Sequence, residues 1–465
     1  MITYKPVGKE DAVYFESLMP GRVFFKGAVS EDYGHDEMTE YGSRVPEILL
    51  LPVSAREVGG ALAYCDTERI AVTARGAGTG LCGGCVPVTG GVVLSLERMN
   101  RILEIDTANM TVTAEAGVLL TDLNKALEGT GLFYPPDPGE KTATVGGNAA
   151  TNAGGMRAVR YGVTRNYVLG MEAVLASGEV LRLGGKTVKT SSGYSLTDLM
   201  VGSEGTLGIM TGLTLKLIPE PGASISLLIP FADLEDCIAA VPAVLASGCE
   251  PTAVEFMERE VIVCAEHYLG KKFPDTASDA YLLIRLDRSG AEALREPMDT
   301  LTELLPSLGA RDVLLADTDE RKTSIWDARG AFLEAIKGST PAMDECDVVV
   351  PRDRIAGFVR FAVRTGREQG VRICLFGHAG DGNLHVYTCR DALTEADWKA
   401  GNSGVMDALY REARNLGGEM SGEHGVGHAK RKYLLESRGE SQLRLMRGIK
   451  AAFDPNGILN PGKVV

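Results

Sequence analysis

Histidines are rare in this sequence of 465 residues, and four of the six fall in its last quarter. His378 and His385 flank the polar segment 379–384, and this spacing predicts an antiparallel hairpin of residues 371–377 and 384–388. Directly opposed side chains of such a pair have Cβ atoms ~5 Å apart, which is close enough for two imidazoles to share an ion. A single histidine usually has only a structural role, so it is the grouping that favours a metal site.

A second pair of chemically useful residues lies between glycines farther along the chain. Glu423 and His424 follow Ser421-Gly422 and precede Gly425. A carboxylate is a good ligand for a divalent ion, and the adjacent imidazole is then available for other chemistry. Both residues therefore join the two hairpin histidines as candidates for one site.

Glycine is the other strong signal, with 56 glycines in the chain. Many of them fall in three clusters that also contain small polar residues, namely residues 75–84, 135–155 and 202–209. Consecutive glycines let backbone N–H groups converge on a phosphate, so the clusters predict three ligand-lining loops for a dinucleotide, although a glycine-rich hairpin is an alternative for the first. Gly78, Gly80 and Gly83 have the G-x-G-x-x-G spacing, but a strand rather than a helix is predicted to follow, which argues against a Rossmann loop.

The elements that must position these residues change character midway. Short strands are expected at 71–75, 92–96, 101–106, 111–116, 168–176, 180–183 and 213–218, with helices at 54–65 and 121–128. Residues 219–222, Pro-Glu-Pro-Gly, indicate a domain boundary. Beyond it we expect strands at 225–229, 281–287, 313–316 and 347–350, and helices at 234–246, 291–304 and 355–368. This alternation predicts an α+β layer in which helices cover one antiparallel, ferredoxin-like sheet.

Composition excludes several classes of protein. The formal net charge of −14 opposes binding to nucleic acid or to an anionic membrane surface. No apolar run approaches the ~18 residues of a transmembrane helix, and the first residues lack the apolar core of a secretory signal, so we expect a cytoplasmic protein. The nine cysteines show no disulfide spacing, and most should be buried as small apolar residues. The C-x-x-C pair, Cys82 and Cys85, leaves a redox role open.

The three glycine-rich motifs, R-G-A-G-T-G, P-D-P…T-V-G-G-N…N-A-G-G and G-S-E-G-T-L-G-I, resemble the PCMH-type FAD-binding domain of the vanillyl-alcohol-oxidase family. From about residue 46 to Lys463 the chain resembles the branch of that family that comprises FAD-dependent D-lactate dehydrogenases and glycolate oxidases. The resemblance implies an N-terminal segment (1–45), an FAD-binding domain (46–219), a cap and substrate domain with the metal-binding hairpin (220–416), and a C-terminal segment (417–465). That last segment carries Glu423-His424 and is expected to return to the FAD-binding domain.

The resemblance also implies which residues hold FAD. The FAD pyrophosphate is expected at Arg75, Gly76, Gly78, Thr79, Gly80, Gly146 and Gly147. The rest of the cofactor is expected at Asn148, Gly154, Gly155, Glu204, Gly205 and Ile209. Relatives that attach flavin covalently often use a histidine in the first loop. This chain has none there, so we expect non-covalent FAD.

Roles in catalysis follow from the same resemblance. His378, His385 and Glu423 match ligands of a divalent metal, which would be Zn, Mn or Fe, and His424 matches the catalytic base. Arg329, in the segment Trp326-Asp-Ala-Arg, matches the residue that binds the substrate carboxylate, and Lys337 is a weaker candidate for that role. Without the resemblance, an amphipathic helix with Arg329 in solvent is the alternative.

The resemblance implies metal-assisted, FAD-dependent oxidation of a short 2-hydroxyacid. Relatives that act on 2-hydroxyglutarate are expected to have an asparagine where this chain has Tyr387, which favours D-lactate first and glycolate next. Electrons would leave FAD for an external acceptor such as an electron-transfer flavoprotein, an iron–sulfur subunit or a quinone. A non-redox flavin-containing synthase and a flavin-bearing subunit that is inactive alone are the alternatives.

Overall fold

The computed structural model describes residues 2–465, which divide into two compact units. Unit 1 consists of residues 2–154, 163–220 and 423–465, and unit 2 consists of Gly155–Gly162 and Pro221–Gly422. Each unit is therefore assembled from segments that are distant in sequence. The finer division into four functional segments stays a prediction.

Unit 1 contains two main β-sheets. The first has the order β1–β2–β4–β3, in which β2, β4 and β3 are parallel, and it comprises β1 (Val23–Phe25), β2 (Ile48–Leu50), β3 (Val72–Arg75) and β4 (Val92–Ser95). The second is antiparallel with the order β5–β6–β10–β8–β9, and it comprises β5 (Ile102–Asp106), β6 (Thr111–Glu115), β8 (Val168–Val174), β9 (Val180–Gly184) and β10 (Ile209–Lys216). A short pair is formed by β7 (Leu132–Phe133) and β11 (Ile218–Pro219).

Helices connect and cover these sheets. Those of unit 1 are α1 (Lys9–Leu18), α2 (Ala55–Glu68), α3 (Leu120–Leu127), α4 (Val145–Thr151), α6 (Leu196–Met200), α14 (Arg431–Ser437) and α15 (Glu440–Phe453). Short 3₁₀ turns lie at Lys26–Ala28, Glu31–Gly34, Thr39–Tyr41 and Thr164–Tyr167. Helix α2 begins where Ser54 Oγ accepts a hydrogen bond from the Glu57 backbone N–H, as its sequence predicts. Its buried residues, including Val58 and Leu62, join a core with Ile48 and Leu50 of β2.

Unit 2 is built on one antiparallel sheet with the order β15–β12–β14–β13–β17–β18–β16. Its strands are β12 (Ala223–Phe231), β13 (Ala253–Glu258), β14 (Ala280–Arg288), β15 (Leu314–Ala316), β16 (Met343–Val349), β17 (Arg372–His378) and β18 (Asn383–Cys389). Strands β13, β14, β17 and β18 are buried along nearly their whole length. A buried strand covered on both faces is expected to be apolar, so charged residues on it require an explanation.

The helices of unit 2 are α5 (Ala158–Tyr161), α7 (Leu234–Ala246), α8 (Arg259–Leu269), α9 (Arg295–Ser307), α10 (Asp319–Gly330), α11 (Phe332–Ser339), α12 (Ile355–Gln369) and α13 (Glu395–Asn415). On the sheet face that carries Phe376, the ring of Phe332 in α11 makes an edge contact with a centroid separation of 5.3 Å. On the opposite face, Thr388 Oγ1 donates to Asn402 Oδ1 of α13 at 2.7 Å. The α+β class predicted from the alternation of elements is confirmed.

Most predicted elements are present with small shifts at their ends, and α7 has the predicted limits. Two of these predictions were wrong or incomplete. The second glycine cluster, expected to be a loop, contains helix α4, because Thr144 Oγ1 accepts a hydrogen bond from the Gly147 N–H and begins the helix. Residues 291–304 begin as a 3₁₀ turn at Ala291–Leu294 before α9 starts. Strand β13 and helix α8 were not predicted.

Candidate functional site

The first glycine cluster of unit 1 is an extended loop between β3 and β4, and no helix follows it. Arg75 at the end of β3 is buried, and its Nη1 donates to the His35 carbonyl at 2.6 Å and to Cys85 Sγ at 3.1 Å. Gly78 has φ +83°, and a Cβ there would collide with the Arg75 guanidinium. The loop therefore depends on glycine to fold around a buried cation, and a Rossmann loop is excluded as predicted.

The second cluster, as far as Gly154, and the third cluster lie beside the first within unit 1. A Cβ at Gly76 would lie 2.5 Å from Thr144 Oγ1 at the start of α4, so the first loop closely approaches the second cluster. Gly205 of the third cluster has φ +68°, and a Cβ there would lie 3.4 Å from Ala74 Cβ in β3. The structure therefore brings together residues from the three glycine-rich motifs, as the sequence suggests.

Glu204 of the third cluster has a structural task. Its carboxylate accepts hydrogen bonds from the backbone N–H groups of Val426 and Gly427, each at 2.7 Å. Its own carbonyl accepts from Asn460 Nδ2 at 2.6 Å. Burial raises the pKa of the Glu204 carboxyl. Glu204 thus ties the third cluster to the C-terminal segment of unit 1, and a direct contact with FAD stays a prediction.

The loops contain polar atoms that fit an anionic, polar ligand. Among residues 2–465, the buried atoms Asn148 Nδ2 and Ser203 Oγ have no hydrogen-bond partner. The same region holds three buried cations and two buried carboxylates, namely Arg75, Lys430, Lys463, Asp36 and Glu204. Burial lowers the pKa of Lys463 to about 8 and raises the pKa of Asp36 to about 6. This surplus of positive charge matches a diphosphate, so the residues fit FAD.

The remaining predicted cofactor residues are placed as follows. Gly80 accepts a hydrogen bond at its carbonyl from the Glu37 N–H at 3.1 Å, and Thr79 precedes it in the partly buried loop. Gly146 lies in α4, where a Cβ would come 2.5 Å from Ala116 Cβ. Ile209 begins β10, and Gly154 is the last residue of its segment of unit 1. Gly155 belongs to unit 2.

The cysteines are free thiols in the described chain, and all but the partly exposed Cys85 are buried. Cys82 Sγ donates to the Gly425 carbonyl at 3.3 Å. Burial raises the pKa of the Cys85 thiol even though Arg75 is adjacent. The prediction that most cysteines are buried apolar residues is confirmed, and nothing in this arrangement favours a thiolate.

Unit 2 contains the predicted histidine hairpin. β17 and β18 pair antiparallel, and both His378 and His385 are buried. Their rings are nearly perpendicular, with centroids 5.1 Å apart and 3.4 Å between the two Nε2 atoms. The predicted register was wrong, because His378 is opposite Asn383 and His385 is opposite Phe376. The turn closes earlier than expected, since the Asp381 and Gly382 N–H groups both donate to the His378 carbonyl.

Each of these histidines has a carboxylate on the neighbouring strand. Glu255 of β13 is the cross-strand partner of His378, with Oε1 at 2.8 Å from Nδ1. Asp347 of β16 is the cross-strand partner of His385, whose Nδ1 lies 3.8 Å from Asp347 Oδ1 and 3.9 Å from Glu345 Oε1. The Glu255 carboxylate at His378 Nδ1 favours the tautomer that leaves Nε2 of that ring for a metal ion, whereas the carboxylates near His385 Nδ1 lie beyond hydrogen-bond distance. This geometry fits a divalent ion at the Nε2 atoms.

Asp347 is itself held in place by three donors. Its Oδ1 accepts from Asn383 Nδ2 at 2.6 Å, and its Oδ2 accepts from Ser421 Oγ at 2.8 Å and from the Gly422 N–H at 3.0 Å. Glu345, Asp347 and His385 offer oxygen and nitrogen atoms that lie within 4.8 Å of one another. Unit 2 therefore supplies additional groups that could bind or orient a cation.

Arg329 lies on α10 and is buried rather than in solvent. Its Nε donates to Glu255 Oε2 at 2.9 Å, and its Nη2 lies 2.6 Å from the same oxygen. The guanidinium carbon lies 4.6 Å from the ring centroid of Phe376. Burial would raise the pKa of Glu255, but its interactions with the His378 imidazole and the Arg329 guanidinium hold it below its usual value. Lys337 on α11 pairs with Glu334 at 3.1 Å.

Glu423 and His424 open the last segment of unit 1, immediately after the end of unit 2 in sequence. His424 Nε2 lies 3.6 Å from Glu423 Oε1, and both side chains are partly buried. A Cβ at Gly154 would lie 2.7 Å from Glu423 Oε2, so this glycine leaves space for the carboxylate. Their assignment as metal ligand and catalytic base stays a prediction.

The sequence reasoning missed several buried residues. Glu255, Glu345 and Asp347 are fully buried acids on strands. The available signal was the acid of Glu255 inside the otherwise apolar segment 253–257, because fully buried carboxylates occur where a partner charge or hydrogen bonds compensate them. Asp36 and Lys463 had no local signal, since their burial depends on segments distant in sequence.

Two family models match the chain. Residues 46–184 match the FAD binding domain, and residues 220–464 match the C-terminal domain of FAD linked oxidases. The chain is 50% identical to a D-lactate dehydrogenase of Anaerostipes hadrus over 99% of this chain and 98% of that protein. It is 39% identical to glycolate oxidase subunit GlcD of Bacillus subtilis over 93% of this chain and 91% of that protein.

Solved structures agree on the fold. p-Cresol methylhydroxylase has a TM-score of 0.80 at 18% identity, with 100% of this chain and 98% of that chain covered. Fold and matched domains together define an FAD-linked oxidoreductase. Within that class the chain belongs to the FAD-linked oxidase family with a PCMH-type FAD-binding domain, in the branch that contains D-lactate dehydrogenases and glycolate oxidase subunits.

Within residues 2–465, every helix is either too short or too polar to cross a lipid bilayer.

Proposed function

We propose that this chain is a metal-assisted, FAD-dependent 2-hydroxyacid dehydrogenase that acts on D-lactate, with glycolate as the next candidate. The observation that supports this most strongly is the buried histidine pair of unit 2, with Nε2 atoms 3.4 Å apart and a buried guanidinium beside the carboxylate that contacts His378. The 50% identity to a protein named D-lactate dehydrogenase supports the choice of substrate.

The chain's own residues would divide the work as follows. Arg329 binds the substrate carboxylate, for which a guanidinium provides paired N–H donors. His378 and His385, with Glu423 as the third ligand, hold a divalent ion of Zn, Mn or Fe, which supplies the Lewis acidity that lowers the pKa of a substrate hydroxyl. His424 accepts the hydroxyl proton as general base.

Arg75 and the glycines of the three clusters would hold FAD non-covalently, and bound FAD supplies hydride acceptance. The buried cations of this region hold the diphosphate, and Glu204 keeps the third cluster against the C-terminal segment. An external acceptor of electrons is required in each turnover, and we propose an electron-transfer flavoprotein, an iron–sulfur subunit or a quinone.

Substrate length is set in part by Tyr387. The Tyr387 ring is buried and stacks on Phe376, with centroids 5.5 Å apart and planes 17° apart. An aromatic ring offers no charge for a second carboxylate, so a monocarboxylate substrate is favoured.

Anaerobic flavin reduction tests the proposal. The FAD-loaded protein is mixed with D-lactate, L-lactate, glycolate and D-2-hydroxyglutarate, and absorbance near 450 nm is followed. We expect D-lactate to bleach the flavin fastest and 2-hydroxyglutarate to be slow. Failure of every hydroxyacid to bleach it would instead support a non-redox synthase or a subunit that is inactive alone.

A further inference from the structure

We propose that Glu255 is a positioning residue that fixes His378 and Arg329 relative to each other. Its carboxylate bridges an imidazole assigned to metal binding and a guanidinium assigned to substrate binding. The inference rests on the proposed function, because it gives Glu255 this task only if those two assignments hold. All three residues lie in unit 2.

The contact with His378 is built into the sheet. Glu255 and His378 face each other across the antiparallel β13–β17 pair, and both Glu255 oxygens lie within 2.9 Å of His378 Nδ1. A carboxylate at this position accepts the Nδ1–H, so the Nε2 lone pair points away from β13, toward His385 Nε2. Such partners orient metal-binding histidines and increase their basicity.

The contact with Arg329 uses the other side of the carboxylate. Glu255 Oε2 accepts from Arg329 Nε and lies 2.6 Å from Nη2. The Nε–Nη2 edge of the guanidinium is therefore occupied, and a substrate carboxylate is left with the Nη1–Nη2 end. The rings of Phe376 and Phe332, with centroids 4.6 and 5.5 Å from the guanidinium carbon, restrict its movement further.

Burial makes this bridge rigid. Glu255 has no exposed surface, and neither His378 nor Arg329 exceeds 7% side-chain exposure. Water is therefore unable to replace either partner at low cost, and a carboxylate left without them would be an uncompensated buried charge. One acid thus couples the orientation of the metal-binding and carboxylate-binding groups.

Glu258 provides a matched control on the same strand. It lies three residues from Glu255, so its side chain is on the opposite face of β13, and it is largely buried. Among residues 2–465, its Oε2 has no hydrogen-bond partner, and its carboxyl group interacts with the backbone of Leu375 in β17. Because its side chain is on the opposite face from Glu255, replacement of its carboxyl group should affect packing of this strand without affecting His378 or Arg329.

The experiment compares Glu255→Gln, Glu255→Asp and Glu258→Gln in the FAD-loaded enzyme. Zn²⁺ affinity is measured by competition with a chromophoric chelator, and kcat and KM are measured with D-lactate. For Glu255→Gln we expect Zn²⁺ affinity to fall ~10- to 100-fold and KM to rise. Glu255→Asp keeps the charge on a shorter side chain, so its Zn²⁺ affinity and KM should lie between those of the wild type and Glu255→Gln. Glu258→Gln should bind Zn²⁺ as wild type does.

The outcomes separate this inference from the proposed function. A wild-type enzyme that binds none of Zn²⁺, Mn²⁺ and Fe²⁺ would overturn the proposed function, and the role of Glu255 with it. If the wild type binds Zn²⁺ and both Glu255 variants bind it with the same affinity, the positioning role alone would be overturned. If Glu255→Gln does not fold, Glu255→Asp decides the question, because unchanged Zn²⁺ affinity and KM in that variant would also overturn it.

Discussion

His378 and His385 are diagonal neighbours on adjacent strands, and their Nε2 atoms lie 3.4 Å apart. They reach each other because residues i and j+2 of an antiparallel pair project from the same face of the sheet. The two strands that flank this hairpin, β13 and β16, each carry a carboxylate. Glu255 of β13 lies opposite His378, and Asp347 of β16 lies opposite His385. The four residues form a row of acid, imidazole, imidazole and acid across the sheet.

The flavin is expected to be non-covalent. The first glycine cluster contains no histidine, but the His428 ring lies against Gly83 of that loop, so a side chain at Gly83 would collide with it. We expect denaturation to release yellow FAD into the supernatant from both the wild type and His428→Ala. Yellow colour that remains with the precipitated wild-type protein would contradict non-covalent binding. If that colour were then absent from precipitated His428→Ala, His428 would be identified as the site of flavin attachment.

Removal of the metal should stop catalysis without removing FAD. We expect His378→Ala, or treatment with a chelator, to abolish D-lactate oxidation while the absorbance of bound FAD persists. His267, an exposed histidine of α8, provides the matched control, and His267→Ala should remain active. Metal affinity should also fall as the pH is lowered, since a ligand histidine must be neutral. Simultaneous loss of FAD in His378→Ala would contradict this prediction, because it would show that His378 is needed for FAD binding.

Glu423 and His424 should have separable roles although they are adjacent. If Glu423 is a metal ligand, the Glu423→Gln enzyme should have a lower metal occupancy than the wild type. If His424 is the base, the His424→Ala enzyme should keep its metal and its FAD. Its flavin should be reduced by substrate ~10²- to 10⁴-fold more slowly than that of the wild type. Stopped-flow absorbance and metal analysis distinguish the two variants. Flavin reduction at the wild-type rate in His424→Ala would falsify the base assignment, and loss of its metal would make His424 a ligand.

Glu258 should make the stability of the fold depend on pH. Burial, assisted by the neighbouring charge of Glu260, raises the pKa of Glu258 from 4.5 to about 8. Between these values the folded state keeps a proton that the unfolded state has lost, so stability falls as pH rises, by at most ~1.4 kcal/mol per pH unit, and levels off above the folded pKa. We expect Glu258→Gln to raise Tm more at pH 8 than at pH 5.

The control for this experiment is Glu303→Gln, which removes an exposed carboxylate of α9. It should leave the difference between the Tm values at the two pH values as in wild type. A Glu258→Gln variant with the same pH dependence of Tm as wild type would show that the Glu258 carboxyl is ionised in the folded state.

Local patterns in the sequence predicted much of the fold. The cap of α2 at Ser54 was predicted because it depends on residues within one turn, and α7 was predicted because its apolar positions recur along a single helix. β13 was missed because its sequence, A-V-E-F-M-E, places two acids in a short apolar segment. The acid at Glu255 becomes intelligible only with its partners, which lie 74 and 123 residues away.

The sequence by itself determined that glycine-rich motifs alternate with strands, that four histidines fall in the last quarter of the chain, and that no run of apolar residues is long enough for a transmembrane helix. These features depend on residue type and short spacing, which are read directly along the chain. Only the tertiary structure decided the register of the histidine hairpin and the burial of Arg329. It also decided that the Glu255 carboxylate bridges His378 and Arg329. The physical reason is that a buried charge is stable only beside compensating groups, and the fold brings those groups from distant parts of the chain.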